Sequence, residues 1–179
     1  MRDCTFLDIL GRDSARVPER SHMDIVKEIE DTIALQNYRQ KERGLERIID
    51  VLEYEHGYDL NEENIVESIK LLLTAALQEQ DPMLKRKFFR ALYTAAACHM
   101  GKYLGLRIDW DPLANSLSSL DKWQLQYVIG ILALTAQERY VPILNEYTYH
   151  ADSEISKWAV RAIDDIKVLA RAYASQGDR

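Results

Sequence analysis

The chain has 179 residues, of which 47% are hydrophobic and 29% are charged, and its formal net charge is −6. A chain of this length buries roughly two-thirds of its unfolded surface without disulfides or metals, so one self-sufficient domain is expected. The acidic balance argues against generic binding to nucleic acid or anionic membranes, since both normally require a basic surface. No apolar run approaches the roughly 18 residues of a membrane span, and Cys4 and Cys98 are too few for a disulfide framework. We therefore expect a cytoplasmic protein without a membrane partner.

The first residues differ in pattern from the rest of the chain. Residues 1–22 have mixed charge and no sustained hydrophobic period, and Asp3 and Asp8 flank an apolar stretch too short for a secretory signal. An amphipathic stripe begins at Met23. We expect residues 1–22 to be either a flexible leader or a remnant that precedes the true start, and residues 23–179 to form a single helical domain.

The remaining sequence has the hydrophobic spacing of helices. Apolar residues recur three and four positions apart, and no segment alternates as a half-buried strand would. Asn61 precedes two glutamates, and Asp81 and Asp111 each precede a proline, which are signals for helix N-caps. The pattern predicts eight helices, at approximately 23–36, 38–56, 61–80, 82–98, 112–120, 122–136, 138–148 and 152–174.

An internal repeat relates several of these helices. Residues 81–92 align without gaps on residues 152–163, with Asp first, an aliphatic residue fourth, Arg tenth and an Ala-aliphatic pair at the end. A segment beginning at Asp121 fits with more divergence, and one beginning at Asn37 fits weakly. Because each repeat brackets one helical hairpin, four stacked hairpins account for residues 23–174.

The repeat resembles that of the HEAT family, in which a turn Asp precedes a second helix reading roughly Asp-Pro-x-Val-Arg-x-x-Ala-x-x-Ala-Leu. The matching residues are Asp81, Pro82, Leu84, Lys85, Ala91 and Leu92, and Asp152, Ile155, Ala159, Ala162 and Ile163. Pro142 also fits, since family members commonly carry a proline in the first helix, whereas Leu125 and Ser156 stand where the family prefers Arg. The resemblance implies an all-α fold, a right-handed α-solenoid of about four hairpins. An irregular helical bundle is the alternative, and the regular period of about 34 residues of tetratricopeptide repeats is absent.

In such arrays the second helices form a long inner surface. The register places Leu84, Phe88, Ala91 and Leu92 in the core. The outward positions of three hairpins are Met83, Arg86, Lys87 and Arg90, then Trp123, Gln126, Tyr127 and Gly130, then Glu154, Lys157, Trp158 and Arg161. Trp, Tyr and Arg most often carry interface energy. The predicted partner-binding residues are therefore Arg86, Arg90, Trp123, Gln126, Tyr127, Lys157, Trp158 and Arg161. Packing between repeats is the alternative role of the two tryptophans.

Charge is unevenly distributed along the chain. Residues 23–67 are rich in Asp and Glu, while residues 83–107 contain six Lys and Arg residues and no acid. A partner with two electrostatic faces would fit this pattern, although solvated helix faces also produce it.

No constellation of residues indicates catalysis or a metal or cofactor site. Cys98 and His99 are adjacent and point about 100° apart on a helix, and the other histidines have no partner at helical spacing. Gly101–Lys102 lacks the earlier glycine and the following Ser or Thr of a phosphate loop. We expect Cys98 in the core because it follows three alanines. Asp109 and Asp111 have the residue type for acid–base work, but Asp111 precedes a proline and is expected to cap the next helix.

These observations favour a non-enzymatic protein–protein interaction module. As a small acidic helical-repeat protein, the chain resembles some bacterial immunity proteins, which implies a toxin as the partner that it binds and neutralises. An adaptor or scaffold in a larger complex is the alternative. A DNA-binding protein or a DNA glycosylase of the HEAT-like kind is a third, opposed by the net charge and by the absence of Asp among the outward positions.

Overall fold

The computed structural model describes residues 24–54, 58, 60–99 and 104–174. Throughout these residues the protein is all-helical, with eight α-helices and no β-strand, so the predicted all-α class is confirmed. The helices are α1 Ile25–Ala34, α2 Tyr38–Tyr54, α3 Glu62–Gln78, α4 Pro82–His99, α5 Asp111–Ser116, α6 Lys122–Leu134, α7 Val141–Tyr147 and α8 Ser153–Ala174. Short 3-10 helices span Leu104–Leu106, Leu117–Ser119 and Glu138–Tyr140. The predicted leader, residues 1–22, lies outside the described residues.

The helix starts follow from the capping residues. The Asn61 side chain accepts a hydrogen bond from the backbone N–H of Asn64, and the Asp81 carboxylate accepts from Leu84. Asp121 forms a capping box with Gln124. The Asp121 carboxylate accepts a hydrogen bond from the backbone N–H of Gln124, and the Gln124 side chain accepts one from the backbone N–H of Asp121. Each cap satisfies backbone donors that the first turn of a helix leaves unpaired.

The predicted cap at Asp111 is wrong. Helix α5 begins at Asp111 itself and its N-cap position is Trp110. The Asp109 carboxylate accepts a hydrogen bond from the Asp111 N–H at 3.0 Å, so the polar turn lies two residues earlier than predicted. The Asp111 side chain is therefore available for ion pairing with Arg139.

The helices contact one another in an ordered way. Helices α2, α4, α6 and α8 contact one another in chain order, and α1, α3 and α5 do the same. Within each predicted hairpin the two helices also touch: α1 with α2, α3 with α4, α5 with α6 and α7 with α8. This order of contacts is the one expected for stacked hairpins.

The hydrophobic core agrees with the predicted register. Leu84, Phe88, Ala91 and Leu92 of α4 are all buried, as predicted. Leu125, which stands where the HEAT family prefers Arg, is also buried, so an apolar residue suits its environment. Other core residues with the repeat's spacing are Ile155, Ala159, Ala162, Ile163 and Ile166 of α8.

One glycine marks the close approach of α1 and α2. A Cβ added at Gly44 would lie 2.6 Å from both Cγ2 and Oγ1 of the buried Thr32. Non-bonded heavy atoms do not approach that closely, so the packing of α1 against α2 requires glycine at position 44.

The predicted core position of Cys98 is wrong. Cys98 is exposed near the end of α4, while His99 is half-buried and its Nε2 donates to the carbonyl oxygen of Leu52 at 2.6 Å. The buried stripe of α4 includes Leu92, Ala95 and Ala96. Cys98 lies seven residues after the buried Ala91 and therefore on the same face of α4, but it falls in the last turn of the helix, where the core no longer covers that face.

No helix in the described part of the chain combines the length and the apolar character needed to cross a bilayer.

Candidate functional site

The sequence-predicted site residues lie on α4, α6 and α8, and their side chains are largely exposed. Trp123 is 50% exposed and Trp158 is 39% exposed, so neither tryptophan is a core residue. Arg90, Lys157 and Arg161 are exposed, as predicted for outward positions. We call the surface that α4, α6 and α8 present here the second-helix surface. Its residues are Met83, Arg86, Lys87, Arg90, Tyr93, Trp123, Tyr127, Gly130, Ala133, Leu134, Trp158, Arg161, Ala162, Asp165, Val168 and Leu169.

A cation–π contact joins two of these helices. The guanidinium carbon of Arg86 lies 4.4 Å from the centroid of the Trp123 ring. An arginine over an aromatic face is attracted by the ring quadrupole, and the contact positions the indole at the edge of α6 without burying it. The structure therefore places two predicted site residues from different repeats in direct contact.

A basic cavity of about 230 Å³ lies between α4 and α6. Its lining residues are Met83, Arg86, Lys87, Arg90 and Tyr127. The Nζ of Lys87 lies 2.7 Å from Glu46 and 3.2 Å from Glu42 on α2. Burial alone would lower the pKa of Lys87, but these bonds to Glu46 and Glu42 outweigh burial and raise that pKa. The positive charge of Lys87 is thus compensated by two glutamates of the same chain, whereas Arg90 forms no ion pair among the described residues.

An apolar cavity of about 370 Å³ lies beside the basic cavity, where α4, α6 and α8 meet. Its lining residues are Tyr93, Gly130, Ala133, Leu134, Trp158, Arg161, Ala162, Asp165, Val168 and Leu169. The floor is formed by small residues, and Trp158 and the 63% exposed Val168 stand at the edge.

The two cavities are separated by a pair of tyrosines. Tyr93 lines the apolar cavity and Tyr127 lines the basic cavity, and their ring centroids are 5.8 Å apart in a tilted arrangement. Tilted aromatic pairs at this distance are favourable. The pair forms a shared wall, so the cavities are neighbouring parts of one surface.

The predicted outward position of Gly130 is wrong, since Gly130 is buried. A Cβ at this position would lie 2.8 Å from Cε2 of Tyr93. The ring of Tyr93 occupies the space that a side chain would need. Gly130 therefore contributes by its lack of a side chain, which lets Tyr93 of α4 lie against the backbone of α6.

Two predicted site residues stand apart from this geometry. Gln126 is half-buried and Lys157 is exposed, but neither lines the basic or the apolar cavity. Conversely, the sequence prediction omitted Tyr93, Leu134 and Val168. They follow the predicted outward residues Arg90, Gly130 and Arg161 by three, four and seven positions, respectively. Extending the predicted outward face of each helix by one or two turns would therefore have found them.

Ion pairs account for much of the charge outside this surface. Arg107 pairs with both Glu62 and Glu63, so the predicted contrast between acidic and basic segments is partly cancelled within the molecule. The hydrogen bonds that Arg107 makes to these two carboxylates raise its pKa, and the bond to Glu63 contributes most. Other pairs are Lys41 with Glu79, Arg47 with Glu28, Lys122 with Asp152 and Glu154, and Arg139 with Asp111.

One of these pairs connects the third and fourth hairpins. The Nζ of Lys122 lies 2.8 Å from the Asp152 carboxylate, and Asp152 is the turn aspartate of the last repeat. The hydrogen bond from Lys122 is the main reason why the pKa of Asp152 is lowered. A lysine of one repeat thus holds the turn acid of the next.

The acidic residues beside Trp110 have structural roles. The Tyr140 hydroxyl donates to Asp111 at 2.9 Å, and Arg139 lies 3.2 Å from the same carboxylate. Burial, followed by the bond to Asp111, raises the pKa of Tyr140. Trp110 itself is fully buried, and its Nε1–H donates to the carbonyl oxygen of Gly105. Asp111 therefore joins the start of α5 to the turn before α7.

The described residues contain no group of three His, Cys, Asp or Glu side chains placed to hold a metal ion. The fold and the second-helix surface define an all-helical protein that exposes tryptophans and arginines along neighbouring helices. The sequence matches no protein-family model and no curated protein.

Proposed function

We propose that this chain is a non-enzymatic, HEAT-like binding module that holds another protein on its second-helix surface. The observation that carries the proposal is the exposure of Trp123 and Trp158 on neighbouring helices, beside Arg86 and Arg161. Tryptophan and arginine are the residues enriched in the parts of an interface that dominate binding energy. Large aromatic side chains are usually well covered, so two partly exposed ones on a single face favour a surface that a partner covers.

The order of helix contacts supports the HEAT-like part of the proposal. Second helices α2, α4, α6 and α8 follow one another, as the repeat alignment predicts. Corresponding positions of stacked repeats align across the array, which is how residues distant in sequence become one binding surface.

The more specific version is an immunity-type inhibitor that binds and neutralises a toxin, and the alternative is an adaptor or scaffold. The size and acidic charge of the chain support the inhibitor. Because Arg107 already engages Glu62 and Glu63, the second-helix surface is the better candidate for contact than the acidic first helices.

The proposal is tested with a purified partner. The protein is isolated with its bound partner from the cells that produce it, the partner is identified and remade, and binding is titrated by calorimetry. Trp123→Ala and Trp158→Ala should each weaken binding by about 2 kcal/mol or more, which is roughly thirtyfold. Tyr149→Ala is the control, since Tyr149 is 86% exposed and lines neither cavity.

Measuring the activity of the partner across the same titration separates the inhibitor from the adaptor. An inhibitor abolishes the activity of its partner at equal stoichiometry, whereas an adaptor leaves that activity intact. A partner that binds both tryptophan variants as tightly as the parent contradicts the proposed surface.

A further inference from the structure

We infer that the second-helix surface takes an acidic amphipathic segment of its partner, with an apolar side chain in the apolar cavity and carboxylates on Arg90 and Arg161. This inference rests on the proposed function, because it specifies the partner of the same surface.

The apolar cavity explains the need for an apolar anchor. Gly130, Ala133 and Ala162 form a floor without bulky side chains, and Leu134 and Trp158 add apolar walls. A concave apolar site of this size is suited to one inserted side chain, as seen where partner anchors enter pockets. Arg161 and Asp165 are the charged residues that line it, so any ionic contact of the partner in this cavity falls at those two positions.

The distribution of ion pairs explains the need for carboxylates. Among the described residues, the cations on the first helices and in the connecting segments all have acidic partners, such as Lys27 with Asp31 and Arg139 with Asp111. The nine Lys and Arg residues that form no ion pair within the described residues all lie on α2, α4 and α8. Of these, Arg86, Arg90 and Arg161 line the cavities. An arginine free of internal acids binds carboxylates in a two-pronged geometry.

Acidic groups near these arginines do not remove the complementarity. Glu46 and Glu42 are held by Lys87, and Arg90 lies near enough to contribute to the lowered pKa of Glu46 without pairing with it. Asp165 lines the apolar cavity and forms no ion pair within the described residues. Among the described residues no ion pair joins Arg161 to Asp165, so the Arg161 guanidinium is available to a partner.

The arrangement also sets the length of the partner segment. Arg90 is on α4 and Arg161 is on α8, and α6 contacts both helices. Neighbouring helix axes are about 8–10 Å apart, so the axes of α4 and α8 are separated by at most roughly 20 Å. A helix covers that distance in about 13 residues and an extended strand in about six. The segment therefore needs carboxylates at both ends and an apolar residue nearer the α8 end.

The test uses defined probes with the full chain. A fluorescein-labelled amphipathic peptide of Leu and Glu at helical spacing is compared with one in which Lys replaces Glu, and with one in which Ala replaces Leu. A single-stranded DNA oligonucleotide is the fourth probe. Fluorescence anisotropy should show the Leu/Glu peptide binding at least about tenfold more tightly than the other three, with affinity falling as salt rises.

Matched variants locate the binding. Val168→Glu should weaken the Leu/Glu peptide at least about fivefold, whereas Val160→Glu should not, because Val160 is a 47% exposed valine of the same helix that lines neither cavity. The double variant Arg90→Glu with Arg161→Glu should weaken binding of the Leu/Glu peptide at least about tenfold. Arg39→Glu with Lys167→Glu is the charge-matched control. Circular dichroism melts verify that all four variants remain folded.

Each alternative outcome has a definite meaning. Equal affinity for the Lys and Glu peptides, or equal losses in Val168→Glu and Val160→Glu, overturns the inference. If DNA is the tightest probe, both the inference and the proposed function fail. If no peptide binds, but a purified partner protein still depends on Trp123 and Trp158, the proposed function stands and the inference alone is wrong.

Discussion

The guanidinium of Arg86 lies over the ring of Trp123, 4.4 Å from its centroid, and so joins the second helices of two neighbouring repeats at the surface. The contact is made between residues that are both exposed or half-buried, not between core residues. It positions the indole of Trp123 while leaving half of its surface in water. The proposed function therefore assigns binding to the exposed Trp123 and Trp158, whereas the fully buried Trp110 belongs to the core.

Trp123→Ala and Trp158→Ala should each lower the free energy of unfolding by less than about 1.5 kcal/mol, because only part of each side chain is removed from water. Trp110→Ala should cost roughly 3–5 kcal/mol, since Trp110 is fully buried. Urea unfolding followed by circular dichroism measures all three. Losses of about 3 kcal/mol or more in both surface variants would mean that these residues hold the repeats together.

Gly130→Ala should destabilise the protein by about 1–3 kcal/mol, because the added Cβ would meet the ring of Tyr93. In a Tyr93→Ala background the same change should be neutral or stabilising by up to about 1 kcal/mol, since alanine is the better helix former. The double-mutant cycle, measured by chemical unfolding, isolates this contact. Equal effects in the two backgrounds would show that Tyr93 does not require the glycine.

Ser68→Ala should raise the free energy of unfolding by about 1 kcal/mol. The Ser68 hydroxyl of α3 is fully buried and has no hydrogen-bond partner among the described residues, so its removal relieves a desolvation cost. Thr135→Val is the control, because the buried Thr135 hydroxyl donates to the carbonyl oxygen of Leu132 at 2.7 Å. The free energy of unfolding of Thr135→Val should be lower than that of the parent by about 1 kcal/mol. A destabilised Ser68→Ala would indicate that the hydroxyl is satisfied in solution.

Lys87→Met should destabilise the protein by about 0.5–1 kcal/mol near neutral pH, because it removes the pair with Glu46. The pKa of Glu46 is lowered, chiefly by its hydrogen bond from Lys87. The stabilisation is therefore present above the ordinary Glu pKa of 4.5 and is lost as pH falls through the lowered value. The pKa of Lys87 is raised from 10.5, so stabilisation is lost again as pH rises through that raised value.

Thermal melts at about pH 3 and pH 7 check this dependence. The difference between Lys87→Met and the parent should shrink at the acidic pH. Lys85→Met is the matched control on the same helix, since Lys85 forms no ion pair within the described residues. A difference for Lys87→Met that stays constant with pH would exclude the Glu46 pair as its cause.

Local sequence determined the helices and most of the core. Helix boundaries follow from side chains that act within a few residues, such as Asn61, Asp81 and Asp121 at helix starts. The buried stripe of Leu84, Phe88 and Leu92 follows from the 3.6-residue period, which is set by the backbone and not by the partner helix. These features were predictable because their causes lie within one helix.

Packing between helices decided what the sequence pattern could not. Gly130 is buried because a tyrosine 37 positions earlier along the chain occupies its side, and Glu62 and Glu63 are engaged because Arg107 reaches them from another segment. Cys98 is exposed because it lies in the last turn of α4, beyond the part of the buried face that the neighbouring helices cover. The basic cavity exists only where α4 and α6 meet, and the apolar cavity only where α4, α6 and α8 meet. The sequence alone determined most of the residues that face away from the core. The tertiary structure decided which of them meet and which, like Gly130, a neighbouring helix covers, because pairing and cavity formation depend on distances between segments that no local period encodes.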